Sequence, residues 1–169
     1  MRKHKFEHTE NLVKCHNGIT YEVLPKGSLF KYRLLEDYFF DTGIKIRKSV
    51  SYELIELKTT GRMHLKTGYM WDGATWFPDI QPVMRASLEH DPPYLLFMLK
   101  LLDLKHRITI NGRFKDVCIK DGMKKWLAKL VYRVLRVFGD DHIRKCINKN
   151  DTYGGMFCDK KTNDTRPSK

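Results

Sequence analysis

Between Ile19 and about Met70, apolar and polar side chains alternate in short runs. Thr20-Tyr21-Glu22-Val23-Leu24 leads into a turn at Pro25-Lys26-Gly27-Ser28, and Leu29 to Leu35 is rich in β-forming residues. Gly43-Ile44-Lys45-Ile46-Arg47 alternates apolar with basic. Val50 to Leu57 reads as one extended run, and Arg62 to Lys66 alternates again after Gly61. A period of two buries one face of a strand and wets the other, the pattern of an antiparallel sheet.

The period then changes. Asp79 or Pro82 is placed to open a helix that carries His90. Pro92 and Pro93 lack an N–H and disfavour helical backbone before them, so a break is expected after His90. A new helical segment is expected from about Pro93 to Leu102. His106 to Gly112 reads as a connector with strand character, and Phe114 to Met123 as a short helix. Lys124 to Phe138 carries the clearest helical signal. Trp126, Leu127, Leu130, Val131, Val134, Leu135 and Phe138 recur at helical spacing and predict one buried stripe. Gly139 is expected to stop this helix, with Asp140 or Asp141 capping a last one to about Asn148. Strands followed by helices predict an α+β domain over residues 19–150: an N-terminal antiparallel sheet packed against a C-terminal layer of about four helices. Residues 1–18 read as a polar arm and 151–169 as a polar tail.

The chain has 169 residues, 41% of them hydrophobic and 31% charged, enough for one ordinary domain with a core. No apolar run approaches the roughly 20 residues that span a bilayer, so no transmembrane segment is expected. The basic start, Met1 to Lys5, has no apolar run behind it, which argues against a secretory signal. An intracellular protein, or a component of a particle made inside a cell, is expected. Cys15, Cys118, Cys146 and Cys158 fit no zinc spacing and read as reduced thiols. The net charge of +12 favours an anionic partner: nucleic acid, an acidic protein or a membrane surface. Lys124, Lys125, Lys129, Arg133 and Arg136 give the long helix a basic face. That face is either simply solvated or makes phosphate contacts.

Reactive chemistry concentrates at His90-Asp91, with Asp116 about one short helix later. An imidazole can move a proton near neutral pH, an adjacent carboxylate can hold a cation, and a second carboxylate can orient the ring. His90 and Asp116 are the candidate catalytic pair. Asp91 is a candidate ligand for a cation. The aromatic loop from Tyr69 to Pro78 offers Trp71 and Trp76, with Tyr94, as candidate substrate contacts. The structural alternative is a buried His-Asp network that fixes helix register, with Gly73 in a tight turn and Trp71 packed under the sheet.

Gly68-Tyr69-Met70-Trp71-Asp72-Gly73-Ala74-Thr75, Arg85 to Asp91 with Tyr94, Arg113 with Asp116-x-x-Ile119, and Tyr132 to Gly139 occur in that order. These segments cover about half the chain and resemble a phage-borne family of unknown function, the domain of unknown function numbered thirteen fifty-three. The resemblance implies a viral accessory protein, with other virion proteins among its partners, and the same sheet-then-helix order. His90-Asp91-x-x-Tyr94 followed by Asp116 also resembles the core of phospholipase A2-like enzymes. That resemblance implies His90 as general base, Asp116 orienting it, Asp91 and the Asp72-Gly73 loop on calcium, and an ester substrate.

Overall fold

The computed structural model describes residues 12–74 and 79–148. Strands come first and helices after them, so the molecule is α+β. β1 (Leu12–His16), β2 (Ile19–Val23), β3 (Tyr32–Leu34), β4 (Tyr38–Asp41), β5 (Val50–Tyr52), β6 (Ile55–Leu57), β7 (Arg62–Leu65) and β8 (Met70–Trp71) form two antiparallel sheets, not one. The first has the order β1-β2-β3-β8 and the second β4-β7-β6-β5. α1 (Gln81–Met98), α2 (Arg107–Lys120) and α3 (Lys125–Asn148) follow, with a single 3-10 turn at Leu104–His106 between α1 and α2.

Alternation decides what each sheet buries. Register pairs Tyr21 with Leu34, and Tyr32 with both Val23 and Trp71, so their side chains share one face. In the second sheet Met63 stands opposite Phe40 and Leu57, and Leu65 opposite Ile55. These inner faces share one core with Leu88, Leu95, Leu96 and Phe97 of α1 and Ile110 of α2. A second core joins the helices to one another through Val83 and Ala86 of α1, Phe114 and Val117 of α2, and Ala128 and Val131 of α3. α1 is therefore covered on both sides, and most of its residues are buried.

Several expected boundaries are corrected. α1 runs through Pro92 and Pro93 without a break, and both prolines are buried. Each removes one helical N–H donor; packing on both sides holds the helix across the gap. Lys100, in the left-handed region at φ 58°, ends it. Gly43 to Arg47 is not a strand; β4 lies just before it. The chain at Ile44 crosses so close to Gly61 that a Cβ there would sit 1.8 Å from the Ile44 carbonyl oxygen. Val50 to Leu57 is a hairpin rather than one run, reversed at Glu53 with φ 46°. His106 to Gly112 has no strand. Ile110, Asn111, Phe114, Val117 and Cys118 recur at helical spacing as buried positions, and that face overrides the β preference of Ile108 and Thr109. Gly139 does not stop α3. A Cβ there would meet the Tyr94 hydroxyl at 3.0 Å, so the glycine lets α3 pass close over α1. With these joins, the described residues hold three α-helices, not about four. Leu12 to His16, expected in the polar arm, pairs with β2 as an edge strand. The expected tail, residues 151–169, lies outside the described residues.

Candidate functional site

His90 and Tyr94 are one helical turn apart on α1, so their rings face the same neighbour, α2. The rings lie 4.0 Å apart, and Phe114 meets His90 edge-on at 5.3 Å. His90 Nε2 is 3.0 Å from Asn111 Oδ1, and the Tyr94 hydroxyl donates to the same oxygen at 2.6 Å. All three residues are buried.

Asp116 is not part of this group. Its side chain is 69% exposed and pairs with Lys115 at 3.2 Å. Five residues along a helix is a rotation of about 140° beyond a full turn, so Asn111 and Asp116 cannot both face His90. The partner that orients the imidazole is a neutral amide, not the expected carboxylate.

Asp91 Oδ1 is 3.7 Å from His90 Nδ1. Burial holds the Asp91 carboxyl above its ordinary range against the pull of His90, and the negative charge of Asp72 adds to the rise. The two expected cation ligands are thus brought into electrostatic contact. Tyr69 joins them: burial first, then the Asp91 charge, raises its phenol well above the ordinary value. Among the described residues, no group of three or more His, Cys, Asp or Glu side chains is arranged to hold a metal ion.

Trp71 does not line a surface cleft. It is fully buried, with Tyr21 and Tyr32 at ring separations of 5.5 and 5.3 Å. Trp76 lies outside the described residues. Gly73 is in a left-handed turn at φ 74°, where a Cβ would sit 2.2 Å from Asp79 Oδ1. Asp79 accepts from the Ala74 amide at 3.0 Å, the Tyr32 hydroxyl at 3.0 Å and Lys31 Nζ at 2.9 Å. It ties the approach to α1 back onto β3.

A second buried polar group is centred on Glu89. Glu89, beside His90 but on another face of α1, accepts from the Tyr38 hydroxyl at 2.7 Å. Arg113 Nη2 pairs with it at 2.7 Å, and Arg85 Nη1 lies 3.8 Å away. Arg85 also forms a two-pronged pair with Asp121, donating from Nε at 2.9 Å and from Nη2. The hydrogen bonds to Asp121 come first among the causes that raise the Arg85 guanidinium above its usual value. Two arginines thus balance two buried carboxylates between α1, α2 and the second sheet. The available signal was Arg85-x-x-x-Glu89, a helical ion-pair spacing on an otherwise apolar helix.

The basic face is a different kind of site. Lys124, just before α3, and Lys125, Lys129, Arg133 and Arg136 on it are all exposed. The expected apolar stripe is only partly buried. Val131 lies in the core and Leu127 and Leu135 pack against it, whereas Trp126 is 65% and Leu130 49% exposed; Val137, outside that stripe, is 65% exposed. At about 100° per residue, Trp126, Leu130, Arg133 and Val137 fall within an arc of roughly 60°. Lys129 and Arg136 lie to one side of that arc, about 40° and 60° beyond its edge. Among the described residues, no helix is long and apolar enough to cross a membrane.

No protein-family model, curated protein or solved structure matches this chain.

Proposed function

We propose that this is a non-catalytic binding protein that docks on an anionic lipid surface through α3. The carrying observation is the exposed arc of Trp126, Leu130 and Val137 set among five exposed basic residues. A phosphate backbone would engage the cations and leave the apolar arc wet. A bilayer interface takes both: headgroups meet the lysines and arginines, and the apolar side chains enter the acyl boundary. Each basic residue near such a surface contributes about 1 kcal/mol.

Vesicle flotation tests this. The chain is expected to float with phosphatidylcholine vesicles that contain phosphatidylglycerol and to stay behind with pure phosphatidylcholine. Lys129→Glu with Arg133→Glu should weaken binding by about tenfold or more. Trp126→Ala should weaken it while preserving its salt dependence. Absence of flotation at low ionic strength overturns the proposal. Retention of duplex DNA in its place would move the reading to nucleic acid.

A second reading rests on Asp72 and Asp91. A buried carboxyl whose proton affinity is raised by burial and by a neighbouring carboxylate is relieved by a cation. A calcium or magnesium ion there predicts a higher melting temperature in metal than in EDTA, lost in Asp91→Asn. No shift leaves His90 and Asp91 as structural residues. Ester hydrolysis under this reading would use His90 Nδ1, 3.7 Å from Asp91, since Asn111 engages Nε2.

A further inference from the structure

A second cationic feature lies away from α3. The segment after β4 and the connection between α1 and α2 enclose a cleft of about 340 Å³. Lys45, Arg47 and Lys48 stand on one side, Lys105 and His106 on the other. Asp103 is the single carboxylate in its lining. That carboxylate is already engaged. It accepts from the Lys105 amide at 2.9 Å and pairs with Lys105 Nζ at 3.1 Å. Lys45, Arg47 and Lys48 are exposed and pair with no acidic side chain among the described residues. Val50, Leu101 and Leu102 give the cleft its apolar lining, with Leu102 buried.

Both walls are held in place by their backbones. Thr42 N donates to Gly61 O at 3.0 Å, Thr42 Oγ1 to the same oxygen at 2.6 Å, and Ile46 N to Thr59 O at 3.3 Å. Gly61 permits that close approach. On the other wall, Leu101 N and Leu102 N both donate to Leu96 O, at 2.9 and 3.1 Å. Lys45, Arg47 and Lys48 therefore stand on a backbone fixed by hydrogen bonds, across the cleft from Lys105 and His106. Such a grouping of cations is stabilised by an anion with several oxygens.

We infer that this cleft binds an organic phosphate, with its phosphate on Arg47, Lys48 and Lys105 and its body against Leu102 and Val50. The guanidinium of Arg47 can take two phosphate oxygens at once, while the lysines act as point charges. The volume is within the range of pockets that enclose small ligands, about 300–1,000 Å³. Inorganic phosphate would leave the apolar lining uncovered.

Titration calorimetry at low ionic strength tests the inference with three probes: pyrophosphate, AMP, and monomeric short-chain phosphatidate. AMP or the phosphatidate is expected to bind at one site and more tightly than pyrophosphate. Which of them binds tells a nucleotide body from a lipid one. Arg47→Ala with Lys48→Ala is expected to weaken that binding about tenfold or more. Lys105→Ala tests the opposite wall with the same expectation. Lys129→Ala with Arg133→Ala, on α3, should leave it unchanged. The inference is overturned if no probe binds, if pyrophosphate binds best, or if the α3 variant loses as much as the cleft variants. Because the α3 variant is the control, failure here leaves the vesicle experiment untouched.

Discussion

Asn111 holds the His90 ring without placing a charge beside it. It also receives the Tyr94 hydroxyl, so one amide oxygen satisfies two buried donors on α1. Asn111→Ala would remove this shared acceptor from two buried donors. The expected loss is about 2–4 kcal/mol, read from urea unfolding. Asp91 acts in the opposite sense. Its folded-state carboxyl is raised, so the folded chain holds the proton more tightly than the unfolded chain. Stability is therefore lost as pH rises above the ordinary carboxylate range. Asp91→Asn should raise the melting temperature at pH 7, with the gain vanishing below the ordinary carboxylate range. At Cys118, burial first and Asp121 second push the thiol up to about 12. Iodoacetamide at pH 8 should modify exposed Cys15 in the native chain and leave Cys118 intact, as mass spectrometry of the digest would show. His90 was legible in the sequence because its chemistry is rare in this chain. Asn111 was not, because its role depends on the phase of α2, and a helix started at Phe114 instead of Arg107 hides it.

At the scale of elements, periodicity was a good guide to what lies inside a helix and a poor one to where it ends. The core side of α3 follows from Leu127, Val131 and Leu135, and β2 and β7 follow from their alternation. Pro92, Pro93 and Gly139 read as stops because their local preferences oppose a helix. Each is instead retained by tertiary packing, which no window of sequence displays. Arg107 Nη1, at the start of α2, also holds α3 by donating to the Arg136 carbonyl at 3.3 Å. Gly139→Leu makes this quantitative. Helix propensity favours leucine by about 1 kcal/mol, but overpacking against Tyr94 costs about 1–3 kcal/mol. The expected net effect is destabilisation, measured as a lower urea midpoint with an unchanged m-value. Trp126 and Leu130 mark the opposite error: an apolar residue at helical spacing is not thereby buried, and here the surplus faces outward.

At the scale of the molecule, the two sheets meet where the chain crosses between them, at Asp37 after β3 and at Thr67 after β7. Asp37 Oδ1 accepts from both the amide and the hydroxyl of Thr67, at 2.8 Å each, and Oδ2 lies 2.7 Å from His64 Nε2. The Thr67 amide first, then its hydroxyl and His64, lower the Asp37 carboxyl to about 2. A depressed carboxyl contributes stability above its unfolded value and loses it as pH falls through the folded one. Melting temperature should therefore fall between about pH 4 and pH 2, and less steeply in Asp37→Asn. Such a joint between separate segments leaves no trace in a linear pattern. The central position of α1 also has a consequence in time. Synthesis proceeds from the N-terminus at about 5–20 residues per second, so both sheets leave the ribosome before the helix that covers them. For a few seconds the inner faces around Trp71, Leu57 and Met63 stand open, and a nascent chain arrested there presents a surface that chaperones bind and that other nascent chains can join.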